Sequence, residues 1–267
     1  RFGQAAPMKH CLYLLLLCAP LLLSVQAQGV CSSDAQPQPV RLLERFLSAD
    51  CEPCWSRASP QASAKNQASG HSDQVLTLDW ILPSRQGDEA ALSGAASRDA
   101  LLRLQTLGRP APAREMQLSS AVPKRSAYRL RVAHGVALGG YIGASIEVRG
   151  MPSPKASSPT PTPGGSQRGE TTAVLLLVET IAAGTEGTPI TRHLVRNMLQ
   201  IPWPGVNATG HQEPPSLLER RPLSVPSSAQ AQRLRVVGWL QDRQGRLLAA
   251  AQSACLPELE DTASTPP

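Results

Sequence analysis

The feature that most constrains the fold of this chain is a pair of cysteines, Cys51 and Cys54, which directly follows an apolar segment at residues 40–47. Two cysteines separated by two residues can close a small disulfide ring whose stability depends on the local fold. If the first thiol lies at a helix N-terminus, the helix dipole and the free N–H groups stabilise its thiolate and make it a nucleophile. The pair therefore either exchanges electrons or holds a loop in place.

The first 27 residues predict an export leader. Residues 8–10 form a short basic head, residues 11–25 are an almost unbroken Leu-rich run, and Ala27 ends a stretch with small residues suited to cleavage; residues 1–7 lie upstream of it. No later segment reaches about 18 apolar residues, so no stable membrane span is expected once the leader is removed. A lipid anchor on Cys31 is disfavoured because Val30 stands where a small residue is required. We therefore expect a periplasmic or secreted protein, in an oxidising compartment.

Four cysteines remain after removal of the leader, and they allow three disulfide pairings. The simplest pairing joins Cys51 to Cys54 and Cys31 to Cys255. The second of these bonds would close a very long loop and contribute about 4–5 kcal/mol on the loop-entropy model. A pairing of Cys31 with the 51–54 region stays open from the sequence alone.

Composition limits the core and the partners. Aromatic residues are only 3% of the chain, against 25 prolines and 20 glycines, so the core must consist of Leu, Val, Ile and Ala between many turns. The net charge of +6 comes from scattered arginines, which we interpret as a solvated surface. Since no dense basic block is interleaved with aromatic residues, nucleic-acid binding is not expected.

The first half of the chain predicts one buried strand and one helix. Residues 75–82 have the β-rich apolar character of a strand and end at a proline. Residues 97–107 predict a helix with Ser97 as N-cap and Gly108 as the stop. This helix is expected to bury a leucine stripe formed by Leu101, Leu104 and Leu107.

Strands dominate the second half. The patterns at residues 128–132, 141–148 and 172–180 predict strands, and residues 233–240 and 246–252 predict a hairpin with one more buried face. Trp80 and Trp239 lie within strand patterns and are expected in the core.

Three segments are predicted to be disordered because they are rich in small polar residues or proline. They are residues 56–74, 151–169 and the tail 257–267.

These elements predict an α+β fold: a degenerate α/β unit over residues 28–120 followed by an antiparallel β-sandwich-like unit over residues 121–256.

The chain resembles a secreted thioredoxin-like family of unknown function from Gram-negative bacteria. The likeness rests on Phe46-Leu-Ser-Ala-Asp-Cys51-Glu-Pro-Cys54 after the first strand and on Arg192-His-Leu-Val-Arg196 in the β unit.

The resemblance implies a thioredoxin-like unit in which Cys51 is the exposed nucleophile and Cys54 the resolving thiol. It also implies a cis-proline opposite the cysteines, for which Pro123 in Val122-Pro123 is the candidate. Trp55 stands where the family has proline, and residues 56–74 form a poor helix, so the unit is expected to be eroded.

Three interpretations of the cysteine pair follow. In the first, Cys51 and Cys54 exchange disulfides with protein or small thiols, although the carboxylate of Glu52 disfavours a thiolate beside it. In the second, both disulfides are structural and the chain is a non-catalytic interaction module. In the third, the pair binds copper with His71. Trp55 excludes c-type haem attachment, no hydrolase or phosphate-binding motif is present, and no cofactor or resident metal site is expected.

Overall fold

The structure, a computed structural model, describes residues 31–34, 36–57, 75–150, 171–203 and 216–255. The predicted leader, the proline-rich segment 151–169, the tail, and residues 58–74 with His71 lie outside these ranges. The helices are α1 (Glu52–Trp55) and α2 (Arg98–Thr106). The strands are β1 (Cys31–Ser32), β2 (Arg41–Ser48), β3 (Val75–Leu82), β4 (Glu115–Ala121), β5 (Arg129–Leu138), β6 (Tyr141–Arg149), β7 (Thr171–Ile181), β8 (Arg192–Trp203), β9 (Leu217–Ser224), β10 (Leu234–Gln241) and β11 (Leu247–Gln252).

Two sheets contain all of these strands. A seven-stranded sheet has the order β11-β10-β7-β8-β3-β2-β4, and a four-stranded sheet has the order β1-β5-β6-β9. β2 and β3 run parallel over their whole length, and β3 and β8 are parallel at a single residue pair, Asp79 with Leu194. The other pairs of named strands are antiparallel. The predicted α+β class is confirmed.

Strands from both halves of the chain share the larger sheet. Residues 28–120 supply β2, β3 and most of β4, whereas residues 121–256 supply β7, β8, β10 and β11. The expected boundary near residue 120 therefore does not separate two sheets, because β8 returns to lie beside β3.

Three apolar clusters fill the space around the larger sheet. Helix α2 covers one face through Ala100 and Leu104, in the cluster that contains Trp80 and Trp239. The four-stranded sheet covers the opposite face at the β7 and β10 end. The loop that carries the cysteine pair covers this second face at the β2 and β3 end. Both tryptophans are fully buried, as expected.

Helix α2 forms where its end signals predict it. The Ser97 hydroxyl accepts a hydrogen bond from the Asp99 N–H at 3.0 Å, and Gly108 follows the helix with φ of +61°. The expected leucine stripe is wrong in one position, since Leu101 is 42% exposed. The inward face carries Ala100 and Leu104 together with Arg103. The Arg103 guanidinium donates a hydrogen bond to the buried carboxylate of Glu44 on β2.

The predicted hairpin is present as β10 and β11, but both faces of β10 are buried. Val237 and Trp239 pack in the cluster under α2, whereas Val236 and Leu240 pack against the four-stranded sheet. β10 is an interior strand covered by a layer on each side, which gives it the continuous apolar pattern of a two-sided core strand.

Both favoured disulfides are present. Cys31 and Cys255 are bonded across 224 residues of sequence, and Cys51 is bonded to Cys54. Beside the long-range bond, Ser32 and Ala254 exchange two backbone hydrogen bonds of 2.9 and 3.1 Å. The first described residues are thus tied to the last ones. Within the described ranges, none of the helices has the length and apolar character needed to cross a membrane.

Gly238 lies where the two sheets pack tightly against each other, and it yields a stability prediction. A Cβ at this position would lie 2.6 Å from Val132 Cγ1 and 3.1 Å from Ile146 Cδ1, both on the four-stranded sheet. We expect Gly238→Ala to lower the free energy of unfolding by about 1–3 kcal/mol through overpacking, measured by urea denaturation.

Gly143→Ala is the matched control, because a Cβ at this strand glycine meets no atom within 4 Å. It should change stability by no more than about 0.5 kcal/mol. Equal effects of the two substitutions would contradict the proposed sheet-to-sheet contact.

Candidate functional site

The Cys51–Cys54 disulfide lies at the carboxyl end of the parallel pair β2 and β3. The chain leaves β2 at Ser48, and the Ala49 N–H donates to the Leu82 carbonyl at the end of β3 at 3.0 Å. Cys51 is the N-cap of α1, which has only four residues and contains Pro53 in its first turn. One turn of helix aligns few peptide dipoles, so the activation expected for a thiol at a helix N-terminus has little support here.

Both cysteines are buried to a similar degree. Cys51 is 4% exposed and Cys54 is 3% exposed, so the expected difference in exposure between nucleophile and resolving thiol is not observed. They pack in an apolar cluster whose other buried members are Leu47, Ala49, Trp55, Ile81, Ala90, Ile181 and Leu194.

Arg192, the first residue of β8, holds the cysteine loop. Its Nη2 donates to the carbonyl oxygens of Cys54 at 3.0 Å, Trp55 at 2.6 Å and Arg57 at 3.3 Å. Its Nε donates to Thr188 Oγ1 at 3.1 Å. Burial lowers the pKa of Arg192 from its ordinary value, and the charge of Asp79 opposes that shift. The guanidinium is thus the hydrogen-bond partner of the backbone carbonyls of Cys54, Trp55 and Arg57.

Trp55, which departs from the family pattern, closes the same loop from its other side. Its ring lies 5.1 Å from Arg192 Cζ, within cation–π distance. Its Nε1 donates to the Glu186 carbonyl at 2.7 Å, and Glu186 adopts a φ of +47°, in the left-handed region. The turn between β7 and β8 therefore contacts the disulfide loop through this hydrogen bond, and Arg192 at the start of β8 contacts the loop through the cation–π interaction.

Asp79, in the middle of β3, is the charged centre beneath this loop. Its Oδ2 accepts hydrogen bonds from Arg45 Nη2 and from the backbone N–H of His193, both at 2.7 Å. Its Oδ1 lies 3.4 Å from Arg192 Nη1. The carboxylate is fully buried, and it joins β2, β3 and β8 in one polar network.

A small cavity of about 180 Å³ lies beside the disulfide. Its lining consists of Arg45 and Leu47 on β2, Cys54 and Arg57 in the disulfide loop, Arg192 on β8, and Glu115, Met116 and Gln117 on β4. Arg45 Nε is buried and has no hydrogen-bond partner among the described residues. Three arginines and one acid, Glu115, thus line the cavity next to Cys54, and a group with negative charge would be attracted to this net positive lining.

The cis-proline assignment is not supported by the backbone. The described residues contain no cis peptide bond, so the Val122–Pro123 bond is trans. Pro123 also follows the wrong end of β4: Arg41 pairs with Ala121, whereas Leu47, near the cysteines, pairs with Glu115. At the end of β4 near the cysteines, the Ser48 N–H donates to the carbonyl of Arg114 at 2.8 Å, so an arginine and not a proline occupies this position.

The buried arginines were missed by the sequence interpretation, which placed them on a solvated surface. Arg45, Arg103 and Arg192 are at most 5% exposed, and each contacts a buried carboxylate. The signal that could have found them is the presence of Glu44 and Asp79 inside otherwise apolar strand segments. A buried acid requires a buried base nearby.

No protein-family model, curated protein or solved structure matches this chain. Among the described residues, the only three side chains that are close enough to share a metal ion are Cys31, His134 and Cys255, which lie apart from the Cys51–Cys54 loop.

Asp79 yields the second prediction. Asp79→Asn would leave Arg45 and Arg192 buried without their counter-charge, and we expect a loss of about 3–5 kcal/mol of unfolding free energy in a urea titration. Asp34→Asn removes a carboxylate from the exposed pair with Arg131 and should cost less than about 1 kcal/mol. Similar losses for the two variants would show that the buried network does not join the strands as described.

His193 yields a pH prediction. Burial, reinforced by Arg235 and opposed by Asp79, lowers the pKa of His193 from 6.5 to about 4. Between these values the unfolded chain binds a proton that the folded chain does not, so stability falls as pH falls through this window. The expected contribution is about 3 kcal/mol between pH 7 and pH 4, from 1.36 kcal/mol per pKa unit.

The measurement is the difference in unfolding free energy between pH 7 and pH 4 for the wild type and for His193→Asn. The variant should lose about 3 kcal/mol less than the wild type over this range. The comparison cancels the other titrating groups, which include His134. An unchanged pH dependence in the variant would contradict the assignment of a neutral, buried His193.

Proposed function

We propose that this protein is an exported thioredoxin-like protein that exchanges disulfides through Cys51 and Cys54. The strand arrangement supports this proposal: the cysteine pair follows β2, β3 lies parallel beside β2, and β4 lies antiparallel on its other side. This is the placement that the resemblance to the secreted thioredoxin-like family implies for a Cys-x-x-Cys after the first strand. The two disulfides are compatible with an oxidising extracellular compartment.

The observation that carries the proposal is the arginine-lined cavity beside Cys54. Nearby guanidinium groups stabilise a thiolate, and the thiolate is the species that attacks or leaves in disulfide exchange. A cavity of about 180 Å³ is smaller than the roughly 300–1,000 Å³ of a typical small-molecule pocket. It suits a small anionic thiol or a single cysteine side chain of a protein partner.

The reaction starts from the oxidised pair. A substrate thiolate attacks Cys54 Sγ, the Cys51–Cys54 bond breaks, and Cys51 leaves as a thiolate, giving a mixed disulfide on Cys54. A second substrate thiolate then attacks the substrate sulfur of the mixed disulfide and releases Cys54 as a thiolate. Two substrate thiols become one disulfide, and the protein takes up the two electrons. The sequence predicts Cys51 as the reactive cysteine and Cys54 as the resolving one. We assign the first attack to Cys54 instead, because the cavity borders Cys54.

A structural disulfide is the second candidate function of this pair. Two observations support it. Both cysteines have low exposure, and Arg192 donates three hydrogen bonds to backbone carbonyl oxygens, which hold the loop in one conformation. Under this alternative the chain is a non-catalytic interaction module, and the Cys51–Cys54 bond survives conditions that reduce an exchanging disulfide.

A redox titration separates the two candidates. The folded protein is equilibrated in glutathione buffers, alkylated, and analysed by peptide mass so that each disulfide is scored separately. We expect the Cys51–Cys54 bond to have a potential above about −300 mV and to be reduced while the sheets stay folded. A bond that resists glutathione until the protein unfolds would overturn the exchange proposal and support the structural one.

The cavity itself is tested with Arg57→Gln. The Arg57 side chain is exposed and lines the cavity, so its loss should slow exchange with glutathione, which is anionic, several-fold more than exchange with neutral 2-mercaptoethanol. Arg85→Gln, at an exposed arginine outside the cavity lining, is the control and should leave both rates unchanged. An equal effect on the two thiols would show that charge at the cavity does not select the substrate.

A further inference from the structure

The second disulfide lies against a buried histidine. Cys31 on β1 is the paired residue of His134 on β5, and Cys255 follows β11. The two sulfur atoms and a ring nitrogen of His134 all lie within 4.8 Å of one another. Two thiols and one imidazole in such a group are a common donor set for zinc.

The imidazole of His134 is oriented as a metal-binding histidine would be. Its Nδ1 lies 2.8 Å from the Gly135 carbonyl oxygen, and because a carbonyl only accepts, Nδ1 carries the proton and donates. Nε2 is then the nitrogen with the free lone pair. Nε2 is buried and has no hydrogen-bond partner among the described residues. His134 as a whole is only 5% exposed.

An unsatisfied buried nitrogen on a ring that lies against two sulfurs requires an explanation, because leaving such an acceptor unpaired costs about 1–3 kcal/mol. A backbone carbonyl that fixes the tautomer of a ligating imidazole is the usual outer-shell partner in zinc sites.

We propose that reduction of the Cys31–Cys255 disulfide creates a zinc site formed by Cys31 Sγ, Cys255 Sγ and His134 Nε2, with water as the fourth ligand. The proposal uses none of the residues of the exchange site. The disulfide bond itself occludes the site in the oxidised protein, so only the reduced protein is expected to bind the metal.

The chemistry balances with a dithiol as the reductant. The dithiol gives two electrons and two protons to the Cys31–Cys255 bond, which becomes two thiols, and the reductant becomes a disulfide. Zn²⁺ then displaces one proton from each thiol and binds the two thiolates. The two thiolates neutralise the charge of the ion, and the neutral imidazole adds none, so the buried site carries no net charge.

The geometry requires one local movement. Two Zn–S bonds of about 2.3 Å in a tetrahedral site place the sulfurs about 3.8 Å apart, so the cysteines must separate after reduction. Cys31 is buried and fixed in β1, whereas Cys255 is exposed and lies beyond β11. We therefore assign the movement to Cys255, whose exposure also leaves room for the metal and the water to enter.

The test uses the full chain with the other cysteines, Cys11, Cys18, Cys51 and Cys54, replaced by serine. The protein is reduced with a phosphine, the reductant is removed, and Zn²⁺ is titrated against a chromophoric chelator, with circular dichroism to monitor the sheets. We expect one zinc per chain after reduction and none in the oxidised protein. His134→Gln should weaken binding at least about tenfold, whereas His193→Gln, at a partly buried histidine elsewhere, should leave the affinity unchanged.

Absence of zinc binding by the reduced, folded protein would overturn the proposal, as would an unchanged affinity in His134→Gln. If reduction unfolds the chain, Zn²⁺ should restore the sheet signal in the parent but not in His134→Gln, since metal binding then supplies folding free energy. Failure of zinc to restore that signal would also overturn it. Co²⁺ gives a second readout: thiolate-to-cobalt charge-transfer absorption should appear in the parent and be lost in Cys255→Ser.

Discussion

The buried carboxylate of Asp79 is the interaction on which the larger sheet depends. β3 and β8 are paired at one residue position, Asp79 with Leu194, so few backbone hydrogen bonds join the two halves of the sheet at this point. Asp79 supplies the missing connection: it accepts from Arg45 on β2 and from the His193 N–H on β8, and it lies beside Arg192. A charge removed from water costs several kcal/mol unless it is paired, and any other register of β8 would break these pairs. The network therefore specifies how the two halves of the chain align.

The same network places a positive charge next to the cysteine pair. Arg192 is balanced by Asp79, yet its Nη2 is occupied by the carbonyls of Cys54, Trp55 and Arg57. The Arg192 guanidinium thus takes part in the strand pairing through Asp79, holds the loop carbonyls and supplies the charge beside Cys54. This coupling explains why the disulfide loop keeps a defined shape with only one turn of helix after Cys51. It also means that the local field at Cys54 depends on a residue 138 positions away in the sequence.

Local patterns in the sequence were sufficient for β3, for helix α2 with its Ser97 cap and for the β10–β11 hairpin, and they made the observed pairing of the four cysteines the simplest of the three possible ones. Each of these depends on residues close in sequence or on the count of cysteines. The parallel contact of β8 with β3 was not predictable in this way, because strand pairing between distant segments leaves no periodicity in either one. The sequence predicts Pro123 as the proline opposite the disulfide, but Pro123 lies at the far end of β4. The sequence does not show the register of that strand. The buried arginines were assigned to the surface because an arginine looks the same in sequence whether or not an acid such as Asp79 lies beneath it.

The two disulfides show how much the surroundings of a cystine decide its chemistry. The Cys51–Cys54 bond has arginine side chains at its one described cavity, and cations favour the thiolates that exchange requires. The Cys31–Cys255 bond has instead a buried imidazole held by the Gly135 carbonyl, with one ring nitrogen within 4.8 Å of both sulfurs and with Nε2 lacking a partner among the described residues. A neutral nitrogen stabilises a thiolate less than a guanidinium does, but it can share a cation with two thiolates. The first environment suits transfer of the bond to another thiol, whereas the second suits replacement of the bond by a metal. One chain, exposed to one reductant, therefore holds two disulfides whose reduced forms are expected to react in different ways.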